Sequence, residues 1–417
     1  MGVTMVKLFT DIDELLTLKG VAKKSGRKIN EKDLSIIKKA SILTSGGEII
    51  WVGKSNQLTK SVFKKLDVKQ KIIKKVSLKN SVVMPGFIEC HTHSVFAGNR
   101  QNEFEMRNQG KSYQQIANAG GGIISTVKHT RNASAEDLLK SLKKRVKTFK
   151  TQGVTALEVK TGYGLDLKTE TKVLRILKKI NSLKIIPTYL GPHAVPKEYK
   201  SATEYMAYII STVLPKLFAE NLFSRADIFI EKGYFNEKLA QKYFKELKNY
   251  NVDLTAHIDQ LTCSGIVGDL CIDKSIKSLD HLVQVGSRGI KALSKSHITS
   301  VLLPTADFYL KMSYPPARKL IDSGARVAIA TDYNPGSSPS QDLSFVGVLS
   351  RLEMKMTLPE VISAYTVGAA HALGLEKSMG SIEVGKQANF ISLEDSHDQL
   401  FYNVGYHPVR KTIYKGI

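Results

Sequence analysis

The segment Val82-Val83-Met84-Pro85-Gly86-Phe87-Ile88-Glu89-Cys90-His91-Thr92-His93 decides the fold. Its Phe87–Cys90 run is too short for a helix and follows a Pro-Gly turn, so it predicts a buried strand. Because side chains alternate along a strand, His91 and His93 lie on one face and Thr92 on the other. Two imidazoles on one face can bind one metal ion, but the pair alone is equally compatible with two ordinary histidines.

Strand and helix patterns alternate along the chain from Pro85 onward. The strand candidates are Phe87–His91, Val154–Val159, Ile185–Leu190, Ala226–Ile230, Val252–His257, Ser278–His281, Ile298–Leu302 and Val327–Thr331. The helix candidates are Ala135–Thr148, Thr169–Ile180, Thr203–Ala219, Glu237–Asn249, Gly286–Lys295, Pro316–Ser323, Asp342–Arg351 and Leu358–Leu373. Eight such strands predict an α/β fold with a closed (β/α)8 TIM barrel. An open doubly wound sheet is the alternative, although no Gly-x-Gly-x-x-Gly loop follows a strand. The first loop, from Thr92 to about Ser134, is long enough to suggest a functional lid.

The two ends of the chain have β-strand character. Ala40–Leu43 and Glu48–Val52 flank Gly46-Gly47, which is a hairpin signal. The tail returns to alternating apolar positions from about Gly380. We therefore expect residues 1–84 and 377–417 to form one small β-sandwich unit, with the barrel, residues 85–376, inserted between them.

Composition narrows the classes of protein to which this chain can belong. The 417 residues are 42% hydrophobic, enough for a large core, and no apolar run approaches the ~18 residues of a membrane span. Residues 1–10 contain no apolar export signal, and the three cysteines lack Cys-x-x-Cys spacing, so we expect a reducing, cytoplasmic location. Cys90 is expected to be a small core residue.

The formal net charge of +23 suggests a nucleic-acid or polyanion binder built on an inactive barrel. Lysine pairs are, however, scattered over helices and loops, with no interleaved arginines and aromatic residues. We therefore predict a solvated lysine-rich surface that attracts a small anionic substrate, with no nucleic-acid partner and no membrane.

Titratable residues collect where the predicted strands end, which is where active sites of such barrels lie. His91 and His93 end strand one, His257 ends strand five, Asp280-His281 ends strand six and Asp332 ends strand eight. Tyr163 and His193 lie in the loops after strands two and three. Three imidazoles and the Asp332 carboxylate suit Zn²⁺ or iron.

A metal ion of this kind would lower the pKa of a bound water to roughly 7. Asp332 is placed to take the proton from that water, and His281 to assist a developing oxyanion or deliver a proton. Strand alternation predicts that Asp280 points the other way and is structural.

These residues resemble the amidohydrolase superfamily, whose signature combines the strand-one motif, a later strand-end histidine and Asp332. Longer runs resemble the imidazolonepropionase family within it. These runs are His91–Arg100, Asn118–Ile123, Lys160–Asp166, Gly191–Pro196, Ala256–Gln260 and Ala330–Ser338.

The resemblance implies a hydrolase that opens the cyclic C–N amide bond of 4-imidazolone-5-propanoate. The product would be N-formimidoyl-L-glutamate, in the third step of L-histidine degradation. The resemblance also implies one divalent or trivalent metal ion per subunit, Zn²⁺ or Fe³⁺. The assembly stays open, with a homodimer as one arrangement.

The site residues carry over from this resemblance one by one. His91, His93, His257 and Asp332 match the metal ligands, and His281 matches the catalytic histidine. Substrate-binding positions are matched by Arg100, Tyr163, His193, Gln260, Asn334, Gly336 and Ser337. Arg100 suits the propanoate carboxylate because a guanidinium can donate two parallel charge-assisted hydrogen bonds.

Two residues depart from the related patterns: Gln260, and Asn389 in the tail, where amidohydrolases usually have Asp. Some members of the family carry Glu at 260, and Gln260 cannot accept a proton, so it should orient substrate or water while Asp332 and His281 move the proton. Gln260 also disfavours the alternative of a purine or pyrimidine deaminase, which usually has a Glu shortly after the strand-five histidine. Lys160 could be mistaken for a carboxylated, metal-bridging lysine; because the family uses one metal, we expect it to be structural or pocket-lining.

Overall fold

The computed structural model describes residues 5–68, 73–111, 115 and 121–417. Within these residues the chain forms a six-stranded sheet and a mostly parallel barrel. The strands β1–β15 are, in chain order, Val6–Leu16, Ile36–Ser45, Glu48–Lys54, Ile73–Pro85, Phe87–Glu89, Val154–Lys160, Lys184–Tyr189, Arg225–Ala226, Phe229–Ile230, Asp253–Ile258, Ile276–His281, Thr299–Leu302, Arg326–Ile329, Phe390–Leu393 and Val409–Ile413.

The α-helices are Lys19–Lys23, Lys60–Lys65, Gln101–Asn108, Ile123–Asn132, Ala135–Thr151, Leu167–Leu177, Ala202–Tyr208, Leu214–Ala219, Glu237–Leu247, Val267–Leu270, Ser287–Lys295, Pro304–Leu310, Ala317–Ser323, Leu343–Leu352, Leu358–Ser363 and Ala369–Ala372. Two π-helical turns, Ile209–Val213 and Ala364–Gly368, join neighbouring helices into the long helices that the sequence predicts. In the part of the chain that is described, none of the helices has the length and apolar character needed to cross a membrane.

The barrel confirms the eight predicted strands, with the fourth split into the short pieces β8 and β9. Its order runs from β5 through β6, β7, β8, β10, β11 and β12 to β13, and β9 pairs with β10. Every residue of β6 is buried, as expected for a parallel strand that is covered on both faces.

Strands one and eight of the barrel meet at a seam. Thr92 and Tyr333 form a parallel bridge there, and the His93 amide donates to the Tyr333 carbonyl over 2.9 Å. The Thr331 amide also donates to the buried Glu89 carboxylate, at 3.2 Å from Oε2. The segments that follow β5 and β13 are therefore held side by side.

The helices cover the barrel through apolar stripes. Ala135–Thr151 begins at Ser134, whose hydroxyl accepts from the Asp137 amide. Its buried residues Leu138, Leu142, Val146 and Phe149 recur at helical spacing and join the main core. This pattern explains why its position could be predicted closely.

The two ends of the chain meet in the other sheet, whose order is β15-β14-β4-β1-β2-β3. β14 pairs with both β4 and β15, which confirms that the tail and the N-terminal segment share one β-unit. The predicted hairpin is also confirmed, as β2 and β3. β4 continues into barrel strand β5 through Gly86, where a Cβ would lie 2.3 Å from Thr155 Cγ2, so glycine permits this close junction.

The long first loop includes two helices that the sequence patterns did not predict. It contains the helices Gln101–Asn108 and Ile123–Asn132. The first of these is mostly polar and has no apolar stripe, so periodicity could not reveal it. Asn118, Ala119 and Gly120 of the glycine-rich motif lie outside the described residues.

Candidate active site

Four buried side chains converge at the C-terminal rim of the barrel. His91 and His93 follow β5, His257 lies in β10, and Asp332 follows β13. The Nε2 atoms of His93 and His257 are 3.4 Å apart. Asp332 Oδ1 lies 3.5 Å from His91 Nε2 and 3.4 Å from His93 Nε2.

The spacing of these atoms suits one metal ion. Four ligands that each lie ~2.1 Å from a tetrahedral ion are about 3.4 Å from one another. Each of the three histidines offers one ring nitrogen that lies within 4.8 Å of those of the other two, and His91 Nε2 is buried without a hydrogen-bond partner among the described residues. The donor set of three imidazoles and one carboxylate fits Zn²⁺ or iron.

Two carboxylates orient two of the imidazoles through their Nδ1 atoms, on the side of the ring away from the ion site. His91 Nδ1 is 2.7 Å from Asp280 Oδ2, and His257 Nδ1 is 3.1 Å from Asp227 Oδ2. A proton held at Nδ1 leaves Nε2 with its lone pair directed at the ion. Both carboxylates are fully buried.

The expectation that Asp280 points away from the site is wrong. The backbone leaves strand geometry at the end of β11, where His281 has a φ of 76° and Leu282 a φ of 58°. Alternation therefore fails at this point, and both Asp280 and His281 serve the same rim. The His281 ring centroid is 5.8 Å from that of His91 and 5.3 Å from that of His257.

Burial and neighbouring charges set the protonation of the site. Burial lowers the pKa of His281 well below its usual value, so its imidazole is neutral. Burial acts to raise the pKa of Asp332, but the neighbouring imidazoles of His91 and His93 hold that pKa well below its ordinary range. The site therefore combines a neutral histidine with an ionised carboxylate.

A cavity of about 1450 Å³ opens onto this cluster. It brings together the residues that the sequence predicts for substrate binding and catalysis. These are Arg100, Tyr163, His193, Gln260, His281, Asp332, Asn334, Gly336 and Ser337.

Arg100 is held by Glu103, which sequence reasoning did not identify. Its Nε and Nη2 donate to Glu103 Oε2 over 2.8 and 2.7 Å. Glu103 Oε1 in turn accepts from the Gly122 amide over 2.9 Å. On the side of Nη1 the guanidinium touches Gly336, where a Cβ would lie 1.9 Å from that nitrogen.

Asn334 shapes the loop after strand eight. Its Oδ1 accepts from the amides of Gly336 and Ser337, each over 2.8 Å. Its Nδ2 donates to the Asp332 carbonyl and to Ser337 Oγ, over 2.7 and 2.8 Å. A side-chain amide has two acceptor and two donor positions, and all four are used within this loop.

Aromatic rings form another wall of the cavity. His193 stacks on His93 with 5.2 Å between ring centroids, and its Nδ1 lies 3.0 Å from the Gly162 carbonyl. Tyr163 packs against both rings, at 5.8 Å from His93 and 5.4 Å from His193. Burial lowers the pKa of His193 well below its usual value, so it too is neutral.

Six cationic side chains are among the residues that line the cavity. They are Arg107, Lys111, Lys128, Lys197, Lys232 and Lys311. Part of the chain's positive charge is therefore concentrated around this cavity.

The carboxylates Glu103, Asp227 and Asp280 are the functional residues that sequence reasoning missed or misplaced. The spacing of Glu103, three residues after Arg100, could have suggested an ion pair on one helical turn. Asp227 lies between two very short strands, where no periodic pattern identifies the direction of its side chain.

Comparison with known proteins agrees with this geometry. The sequence matches the amidohydrolase family over residues 82–417. The imidazolonepropionase of Bdellovibrio bacteriovorus is 46% identical, over 95% of this chain and 93% of that protein. The imidazolonepropionase of Clostridium tetani is 36% identical, over 98% and 97% of the two chains.

Solved structures show the same fold at low sequence identity. A zinc-bound adenosine deaminase from Xanthomonas campestris gives a TM-score of 0.69 at 15% identity, covering 98% of this chain and 92% of that one. A zinc complex of atrazine chlorohydrolase from Arthrobacter aurescens gives 0.63 at 15% identity, covering 98% and 94%.

Proposed function

The chain belongs to the amidohydrolase family and, within it, to the imidazolonepropionases, and from this premise we propose that it hydrolyses 4-imidazolone-5-propanoate to N-formimidoyl-L-glutamate. This is the third step of L-histidine degradation. The observation that carries the proposal is that one cavity is lined both by the candidate metal ligands His93, His257 and Asp332 and by Arg100, whose guanidinium is held by Glu103 and suits a carboxylate.

His91, His93, His257 and Asp332 would hold one ion, Zn²⁺ or Fe³⁺. When bound, such an ion supplies a reactive water at neutral pH and polarises a carbonyl oxygen. Metal analysis of the purified protein decides between zinc and iron.

The chain's own residues then move the protons. Asp332, whose carboxylate lies beside His91 and His93 at the rim, accepts a proton from the attacking water. The water oxygen adds to the ring carbonyl carbon, the C–N bond breaks, and Asp332 passes the proton that it took from the water to the departing nitrogen. His281 donates a hydrogen bond to the carbonyl oxygen as negative charge develops on it.

The substrate is bound by residues of the cavity wall that lies opposite the reacting bond. Arg100 binds the propanoate carboxylate through the end of the guanidinium that Glu103 does not use. Tyr163 and His193 pack against and hydrogen-bond the imidazolone ring. Gln260 orients the substrate or the water, since an amide cannot take the proton.

The loop after strand eight completes the binding site. Gly336 leaves space for the Arg100 guanidinium, and Ser337 offers polar atoms to the substrate and product. Asn334 contributes mainly by fixing the shape of this loop, because its amide is already fully engaged.

The direct test is turnover by purified, metal-loaded protein. We expect the absorbance of imidazolonepropanoate to fall while formimidoylglutamate accumulates in equal amount. A His257→Ala variant, which removes one ligand, is the matched control and should be inactive. Absence of turnover in the fully loaded natural protein would contradict the proposal.

Two further assignments belong to the proposal. The small β-unit of residues 1–84 and 377–417 supports a barrel of residues 85–376. Cys90, Cys263 and Cys271 are all free thiols, which supports a reducing, cytoplasmic location. The assembly stays open, with a homodimer as one arrangement, and light scattering of the purified protein decides it.

A further inference from the structure

Lys160 lies at the centre of the barrel, beneath the candidate metal ligands, and none of its surface is exposed. Its Nζ is 2.8 Å from Glu158 Oε1, 2.8 Å from Asp227 Oδ2 and 3.6 Å from Asp280 Oδ2. Burial disfavours the charged form, but Asp227, Glu158 and Asp280 together raise the pKa of Lys160. The ammonium group is therefore charged and fully enclosed by carboxylates.

Each of these carboxylates supports a different part of the ligand set. Asp280 accepts from His91 Nδ1 over 2.7 Å, and Asp227 lies 3.1 Å from His257 Nδ1. Asp280 and Asp227 thus lie next to the Lys160 ammonium group on one side and contact one imidazole each on the other.

Glu158 reaches the third histidine through the backbone. Its Oε2 accepts from the Thr92 amide over 3.3 Å, and the Thr92 hydroxyl donates to the Glu158 carbonyl over 2.7 Å. The Lys160 amide also donates to the Thr92 carbonyl over 2.9 Å. Thr92 stands between His91 and His93, so this contact fixes the segment that carries both.

A buried cluster of three carboxylates would be unstable without a cation, because uncompensated buried charge is costly. Without Lys160 the carboxylates would repel one another or take up protons. Either change would release the imidazoles from the orientation in which their Nε2 atoms converge.

We propose that Lys160 is the positioning residue of the metal centre, holding Glu158, Asp227 and Asp280 so that His91, His93 and His257 converge on one ion. The inference rests on the proposed metal ligands but not on the identity of the substrate. It gives a specific form to the expectation that Lys160 is structural or pocket-lining.

The test is the affinity of the metal-free protein for Zn²⁺, measured by competition with a coloured chelator. Lys160→Met keeps most of the length of the side chain and removes its charge, and we expect about 10- to 100-fold weaker binding. The visible spectrum of the Co²⁺-substituted protein should also change, because the spectrum reports ligand geometry and not overall stability.

Lys172→Met is the matched control. Lys172 also donates to three protein oxygens, the carbonyls of Thr130, Arg131 and Ala133, but these lie on a helix and in the connection after it. Its loss should leave both the Zn²⁺ affinity and the Co²⁺ spectrum unchanged.

Unchanged Zn²⁺ affinity in Lys160→Met overturns the inference. If that variant does not fold, Lys160→Gln serves in its place, because it also removes the charge but keeps a hydrogen-bond donor; natural affinity in that variant is equally contradictory. A natural protein that binds no ion overturns this inference together with the metal assignment. Tight binding without turnover contradicts the proposed reaction alone.

Discussion

Replacing Gly336 by alanine tests how closely the substrate carboxylate site is fitted. The new Cβ would lie 1.9 Å from Arg100 Nη1 and 2.4 Å from Cζ. Ordinary contact needs about 3.5 Å, so the guanidinium must move by roughly 1.5 Å. Glu103 holds Nε and Nη2 of the same group, so the arginine cannot move without weakening that ion pair.

The size of the effect on kcat/KM follows from the hydrogen bonds between Arg100 and the substrate carboxylate that the substitution would weaken. A hydrogen bond to a charged group contributes about 1.5–3 kcal/mol, and a carboxylate on a guanidinium makes two. Losing one fully or both in part costs about 2–4 kcal/mol, which is roughly 30- to 1000-fold in kcat/KM. The loss should appear mainly in KM, because Arg100 lies away from the reacting bond.

Steady-state kinetics with three further variants show whether the contact is responsible. Gly268→Ala is the matched control, since its Cβ would meet only Ala292 Cβ at 3.9 Å. Gly336 is outside the left-handed region that favours glycine, so backbone strain does not confuse the comparison. In an Arg100→Ala background, Gly336→Ala should cost almost nothing more than Arg100→Ala alone. A normal KM in Gly336→Ala, or full additivity with Arg100→Ala, would refute the reasoning.

Three other substitutions test separate parts of the site. Asp332→Asn should lower kcat by at least ~100-fold with an unchanged circular dichroism spectrum; a near-normal rate would remove Asp332 from proton transfer. Glu103→Gln keeps the size of the side chain but weakens its charge-assisted hydrogen bonds to Arg100, so KM should rise about 10-fold. An unchanged KM would show that Glu103 is not needed to position Arg100. Glu231 Oε2 accepts from the amides of Leu261 and Thr262, over 2.8 and 3.2 Å, next to Gln260. Glu231→Ala should therefore speed hydrogen exchange at these two amides and lower kcat several-fold through misplacement of Gln260; unchanged exchange would contradict this.

Much of the barrel could be predicted because its elements have clear periods. β6 is a continuous buried run, and the helix Ala135–Thr151 has a regular apolar stripe. The helix Gln101–Asn108 has neither signal, because it is fixed by contacts with distant residues. Arg107 lies 5.0 Å from the ring centroid of Tyr309, a residue more than two hundred positions away in sequence.

The convergence of the histidines was predictable once the strands were placed, since parallel strands present their ends at one rim. The carboxylates behind them were not. Asp280 was misplaced because His281 adopts a positive φ that sequence alternation cannot foresee. The role of Glu103 depends on the position of Gly122, a contact between two parts of a long loop.

The seam between the first and last barrel strands has a consequence for assembly of the fold. The proposed ligands His91 and His93 stand on one side of it and Asp332 on the other, joined by the bridge between Thr92 and Tyr333. An ion bound to these residues would link the segments that follow the first and the last strand of the barrel. Closing so long a loop is entropically costly, and an ion that binds only the closed form offsets part of that cost. The same ion would thus take part in catalysis and also stabilise the closed barrel.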